Sequence, residues 1–318
     1  SVVRFTNHQL VNTVFPFYNS TYRNHKDGKS KGEGTDSKRV PTKSKAVAAL
    51  YKKLAEVVSM LAQLLSVQPL TDSTVLLLSS VAISPFFVEP ISELQLSALS
   101  LVTSIFAKYE KHRRLLLDDI MSSMSRLSSS RRNLRTYQLE SQERIQMTTV
   151  LFLELIQCLA VLPLDLVGDK LVDTDSVITA KLTSAQRTAY VFLDMWLAKC
   201  SSKNEDTNYR QLLENFILDL LITHNKPEWS AAGFMLSVLG NLLVASVINK
   251  NLGSPVRLIC LDFLGILVCR MREDAKQFED KSNVVNQVIS GIKFEEEAKQ
   301  NQNVKEDDKD EERLTQPV

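Results

Sequence analysis

Glycine and proline are scarce in this sequence, with nine of each in 318 residues. Average usage gives these two types a combined share of roughly 12%, so a fold of many short strands joined by tight turns is excluded. Cysteine is rarer still: Cys158, Cys200, Cys260 and Cys269 are the four, and no two form a CxxC pair. Each sits in an apolar helical pattern and reads as a small buried hydrophobe in a reducing compartment, not a disulfide partner or zinc ligand. Net charge is nearly absent, at +1, so no whole-chain field draws the protein toward nucleic acid or acidic lipid. No apolar run reads as the roughly 18 or more residues that a membrane span needs. The stretch from Leu151 to Leu162 is interrupted by Glu154 and Gln157.

Catalytic and cofactor motifs are missing as well. His8, His25, His112 and His224 are scattered, with no HExxH and no Cys/His cluster at ligand spacing. No phosphate-binding glycine loop, nucleophile elbow or dinucleotide fingerprint occurs. Asp118 and Asp119 are neighbours, but adjacent helical residues point about 100° apart and do not converge on one atom. The expectation is a protein that is not an enzyme and has no cofactor and no metal site. Neither a start Met nor a signal or transit peptide opens the chain. It is read as a piece of something longer, which leaves its location open.

What is present is helical periodicity. Val47, Leu50, Tyr51, Leu54, Val57, Val58, Leu61, Leu64 and Leu65 make one apolar stripe. Further helices are predicted to about Phe87, from Pro90 to Phe106, over Leu115–Leu127 and from Gln142 to Leu162. Others follow at Ser184–Cys200, Tyr209–His224, Glu228–Val247 and Pro255–Lys276. Alternate helices start roughly 45 to 50 residues apart, close to the 40–47-residue repeat of HEAT and armadillo proteins. The run Pro255, Val256, Arg257, Leu261, Leu264, Gly265 resembles the HEAT consensus, with Cys260 in place of its alanine. The fold class read from this is all-α, a HEAT-type α-solenoid of stacked antiparallel helix pairs; a generic helical bundle is the alternative. By segment, 1–21 ends an upstream helix, 22–45 is a disordered polar loop and 46–290 is the solenoid. Loops at 128–141 and 164–183 interrupt that solenoid, and 291–318 is a charged, disordered tail.

One stretch departs from neutrality. Lys108, Lys111, Arg113, Arg114, Arg126, Arg131, Arg132, Arg135 and Arg144 face five acidic residues between positions 108 and 144, an excess of four. Lys108, Lys111, Arg113, Arg114, Arg131, Arg132 and Arg135 are the candidate DNA contacts, since guanidinium and ammonium groups grip phosphates without reading bases. The competing reading is a solvated loop plus ordinary cations complementing helix C-termini.

The same residues carry a family resemblance. ISPFFVEPISELQLSALSLVTSIFAKYEKHRRLLLDD (Ile83–Asp119), SSRRNLRTY (Ser129–Tyr137), LIQC (Leu155–Cys158) and YRQLLENFILDLLITHNKPEWSAA (Tyr209–Ala232) resemble the middle HEAT region of the Nipped-B-like (adherin) family of cohesin loaders. The likeness runs from about Leu70 to Ala275; the loop at 164–180 and both ends depart from it. It implies a hook-shaped HEAT protein, nuclear and chromatin-associated. Such a protein promotes entry of DNA into the cohesin ring and stimulates cohesin's ATPase without being one. The partners implied are DNA, the cohesin ATPase heads and the kleisin, with no membrane. The family's small tetratricopeptide subunit binds a region outside this chain. A protein-interaction solenoid for transport or assembly, without nucleic-acid binding, is the alternative.

Overall fold

The apolar stripe read between Val47 and Leu65 becomes a face of helix α3 (Val40–Val67), burying Leu54, Val58, Leu61 and Leu65. The structure, a computed structural model, describes residues 2–19, 40–88, 91–127, 135–162, 173–201 and 208–314. The chain divides into two units, Ser1–Phe263 and Leu264–Val318.

In the first unit α1 (Val2–Gln9), a π-helical turn and α2 (Phe15–Tyr18) precede α3. Helices α4 (Asp72–Ile83), α5 (Ser92–Lys108) and α6 (Arg113–Ser123) follow. Two cross-links show how the helices stack. The Leu94 N–H donates to Tyr51 Oη, and Lys108 Nζ donates to the Leu65 carbonyl; both pairs are 43 residues apart. A constant offset at both ends means that α5 lies beside α3 and runs the same way, so α4 returns between them. The repeat falls within the 40–47 residues of HEAT units. Helix α3 packs on α5, and α5 on α7 (Met147–Ala160), while α4 packs on α1, α5 and α6.

Beyond α7 come α8 (Thr174–Cys200), α9 (Tyr209–Thr223) and α10 (Ser230–Ile248), each packed against the other two and against α7. Phe152 of α7, Phe192 and Trp196 of α8 and Phe216 of α9 form one ring cluster, with centroids 4.1–6.2 Å apart. All four are essentially sealed from solvent. The architecture is an all-α, HEAT-type solenoid of stacked helix pairs.

Several boundaries differ from the sequence reading. Helix α7 starts at Met147 instead of Gln142. Residues before it form a short antiparallel ladder, β1 (Tyr137–Gln138) on β2 (Arg144–Ile145), with Tyr137 opposite Ile145. Gln142 turns the chain with a φ of 68°, which a continuing helix cannot accommodate. Helix α3 begins at Val40 and α8 at Thr174, inside spans read as loops; residues 20–39, 128–134 and 163–172 lie outside the described residues. The stretch Pro227–Ile248 is, after all, long and apolar enough to cross a membrane. Its physical role here is that of a core helix, because α10 buries Ala232, Met235, Leu239 and Leu243 against α7, α8 and α9.

Helix α11 (Ser254–Leu314) begins in the first unit, and its residues from Leu264 onward are the second. The backbone stays helical through 291–314, where the sequence predicts a disordered tail. Glu, Lys and Gln are strong intrinsic helix formers even without an apolar stripe. Cys269, expected to be buried, is exposed, whereas Cys260 is buried and Cys158 and Cys200 are partly so. The periodic pattern marks Cys269 as helical without showing which face is covered.

Candidate nucleic-acid interface

The last turn of an α-helix leaves its carbonyls without intrahelical partners. Two cations of the basic stretch are committed to such carbonyls. Lys108, at the end of α5, donates to the carbonyls of Leu65 and Ser66 at the end of α3. Arg113, opening α6, donates through Nε to the Phe106 carbonyl at 2.8 Å and through Nη2 to Ala107 at 3.2 Å. Its Nη1 reaches Ser184 Oγ of α8 at 3.2 Å, and the guanidinium lies 5.8 Å from the Phe106 ring centroid. Arg257 repeats the device: its Nε donates to the Val247 carbonyl at 2.9 Å, at the end of α10. Each cation also meets the negative end of a helix dipole.

Arg135 points inward. Its Nη2 lies 2.8 Å from Asp219 Oδ1, and the Asp219 carboxylate is fully buried in α9. The other oxygen, Oδ2, accepts from the Gln146 backbone N–H at 2.9 Å, Gln146 Nε2 at 3.0 Å and Thr149 Oγ1 at 2.8 Å. A buried carboxylate is tolerated when it is paired and hydrogen-bonded. Here it fastens the ladder and the first turn of α7 onto α9. Burial pushes the Asp219 carboxyl above the ordinary carboxylate range, and the bonds from Gln146 and Thr149 with the Arg135 charge oppose that rise.

Lys111 and Arg114 have more than half of their side chains in solvent. Lys111 Nζ meets Asp72 Oδ2 at 2.7 Å, and His112 Nε2 meets Asp72 Oδ1 at 3.1 Å. These bonds, Lys111's foremost, hold the Asp72 carboxyl below its usual range. The N-cap position of α4 is Thr71, and Asp72 is the first helical residue. Arg114 Nε is 3.4 Å from Asp118 Oδ2 along the same helix. Arg131 and Arg132 lie outside the described residues.

Of the seven cations picked out by composition, the structure thus places Lys111 and Arg114 on the surface and turns Lys108, Arg113 and Arg135 to internal acceptors. The sequence reading missed Asp219, Gln146 and Thr149. One signal was present: a lone carboxylate in the apolar run FILDLLIT (Phe216–Thr223) requires a partner once buried. Which arginine supplies it is a long-range property. Among the described residues no group of three or more His, Cys, Asp or Glu could hold a metal ion.

The described architecture defines a class of protein, the helical solenoid of HEAT type. In fold it is similar to the C-terminal fragment of the Chaetomium thermophilum cohesin loader SCC2. The TM-score is 0.65 and the identity 18%, over 83% of this chain and 21% of that one. By sequence it is 42% identical over 300 residues to zebrafish Nipped-B-like protein B and 41% over 306 residues to human Nipped-B-like protein, matching 91% and 92% of this chain. The Drosophila Nipped-B protein is 36% identical over 322 residues. The chain belongs to the Nipped-B-like family. It spans 10% to 15% of the length of these relatives. No family model matches it.

Proposed function

We propose that this chain is a non-catalytic scaffold segment of a cohesin loader, acting in the nucleus on chromatin to promote loading of cohesin onto DNA and to stimulate cohesin's ATPase. The observation that carries the proposal is the 41–42% identity to Nipped-B-like proteins over about nine-tenths of the chain. A solenoid suits the role because neighbouring repeats present one extended surface to several partners. The partners in this reading are the ATPase heads and kleisin of cohesin, together with DNA. The small tetratricopeptide subunit is engaged by regions outside this chain, and no membrane is involved.

For DNA, the surface cations Lys111 and Arg114, with Arg131 and Arg132, are the proposed phosphate contacts. Lys108, Arg113 and Arg135 act by holding the helices that carry them. Reversing charge at Lys111, Arg114, Arg131 and Arg132 should weaken duplex binding and lower its salt slope by roughly one for each phosphate no longer neutralised. Unchanged affinity and slope would rule these residues out. The competing reading, a protein-interaction solenoid without nucleic-acid binding, draws support from the internal commitment of Arg113 and Arg135. Co-purification with cohesin in the absence of any salt-sensitive DNA retention would favour it.

A further inference from the structure

Helix α8 is helical from Thr174, yet no residue from 173 to 184 is buried; its first core residue is Ala185. One face of those opening turns, carrying Ser176, Lys181 and Ser184, borders a cleft of about 420 Å³. The facing walls hold Glu110 and Arg113 at the α5–α6 junction and Cys158 near the end of α7. The volume lies within the roughly 300–1,000 Å³ of ligand-binding clefts.

The chemistry of the walls is uneven. Lys181 is half-buried, with no hydrogen bond or ion pair among the described residues. Arg113 is held rigid by Phe106, Ala107 and Ser184 and keeps N–H donors in hand, since a guanidinium carries more of them than these acceptors use. Among the described lining residues the one carboxylate, Glu110, is 84% exposed at its side chain and stands off Arg113 at 3.6 Å. Both cations bear on the Cys158 thiol, drawing it down against the burial that pushes it up to about 12. Ala107, Val177 and Ala180 supply apolar surface in the walls.

We infer that this cleft docks a short segment of a partner protein in which an acidic residue is flanked by apolar ones, its carboxylate seated on Lys181. A half-desolvated ammonium with no counter-ion among the described residues gains more from a carboxylate than an exposed one does. The cleft admits a side chain on an extended peptide. A nucleic-acid duplex, a convex rod with its phosphates outermost, does not enter a space of this size. The inference stands apart from the loader reading, because it needs the cleft and its charges and not the identity of the assembly.

The test uses the full chain and a fluorescein-labelled peptide alternating glutamate and leucine, followed by anisotropy. A glutamine–leucine peptide and an oligothymidylate serve as comparisons. The glutamate peptide should bind saturably, and Lys181→Glu should weaken it about tenfold, while Lys250→Glu changes nothing. Among the described residues Lys181 makes no hydrogen bond or ion pair, so the circular dichroism and melting of the variant should match the parent. Equal binding by the glutamine peptide, unchanged affinity in Lys181→Glu, or oligothymidylate binding that is lost with Lys181 would each overturn the assignment.

Discussion

Arg135 Nη2 and Asp219 Oδ1 meet at 2.8 Å across 84 residues of sequence, joining the approach to β1 to the middle of α9. The pairing turns a residue that composition marks as a phosphate grip into an anchor. Removing one member of a buried pair leaves the other uncompensated, at a cost of about 3–5 kcal/mol. Arg135→Met should therefore lower the urea-unfolding free energy by about 3 kcal/mol, at the low end because the arginine is partly solvated. A variant as stable as the parent would show that the pair holds nothing together.

The same carboxylate sets a pH dependence. Because burial holds Asp219 above the ordinary range, the folded state binds its proton more readily than the unfolded chain does. Its contribution to stability is complete below the ordinary aspartate value. It declines as pH rises from there through the elevated value, and then levels off. Arg135→Met removes an opposing charge and should extend that decline to higher pH. Urea titrations at stepped pH, compared between parent and variant, measure it; superimposable pH profiles would contradict it.

Cations that close helix C-termini should be worth less, since these sites are nearer solvent. Lys108→Met is expected to cost about 1 kcal/mol, seen as a lower melting temperature with no loss of helix content. A charge-neutral surface role for Lys108 would leave the melting temperature where it was.

The ring cluster is the most sensitive site. Phe152→Ala removes the ring that touches Phe192, Trp196 and Phe216, and the cavity should cost about 3–5 kcal/mol. Fluorescence from Trp196 should broaden and shift to the red as water reaches it. A loss under about 1 kcal/mol would mean that the three helices close over the gap.

At the turn before α7, Gln142 holds a left-handed backbone with φ 68°. Gln142→Gly should leave stability equal or slightly raised, since glycine enters this region without the Cβ clash. Gln142→Val should lose more than about 1 kcal/mol. Equal melting temperatures for the two variants would refute the turn geometry.

How far the sequence can be read depends on the range of the interaction concerned. The stripe of α3 and the run through Phe106 in α5 are legible because burial at i, i+3, i+4 and i+7 is a local pattern. The start of α7 is not. Nothing near Gln142 says that the Gln146 N–H will be taken by Asp219, 73 residues away. The polar stretch after 291 departs from expectation for a different reason: lack of an apolar face removes the packing signal without removing helix propensity. Cys269 shows the reverse case, a periodic position whose face is left exposed.

For the basic stretch, composition registers the charges and cannot direct them. The sequence by itself determined the apolar periodicity, the repeat near HEAT length, the absence of metal-site and nucleotide-loop motifs and the surplus of cations around Arg113. Those properties follow from residue type and spacing along a single helix. The tertiary structure decided that Lys108 and Arg113 close helix ends, that Arg135 neutralises Asp219, and that Lys111 and Arg114 stay at the surface. For Lys108 and Arg135 the choice rests on acceptors brought close by the stacking of helices, from 43 and 84 residues away, whereas Arg113 takes the carbonyls of Phe106 and Ala107 just before its own helix. A charge is a property of one residue, whereas its partner is a property of the fold.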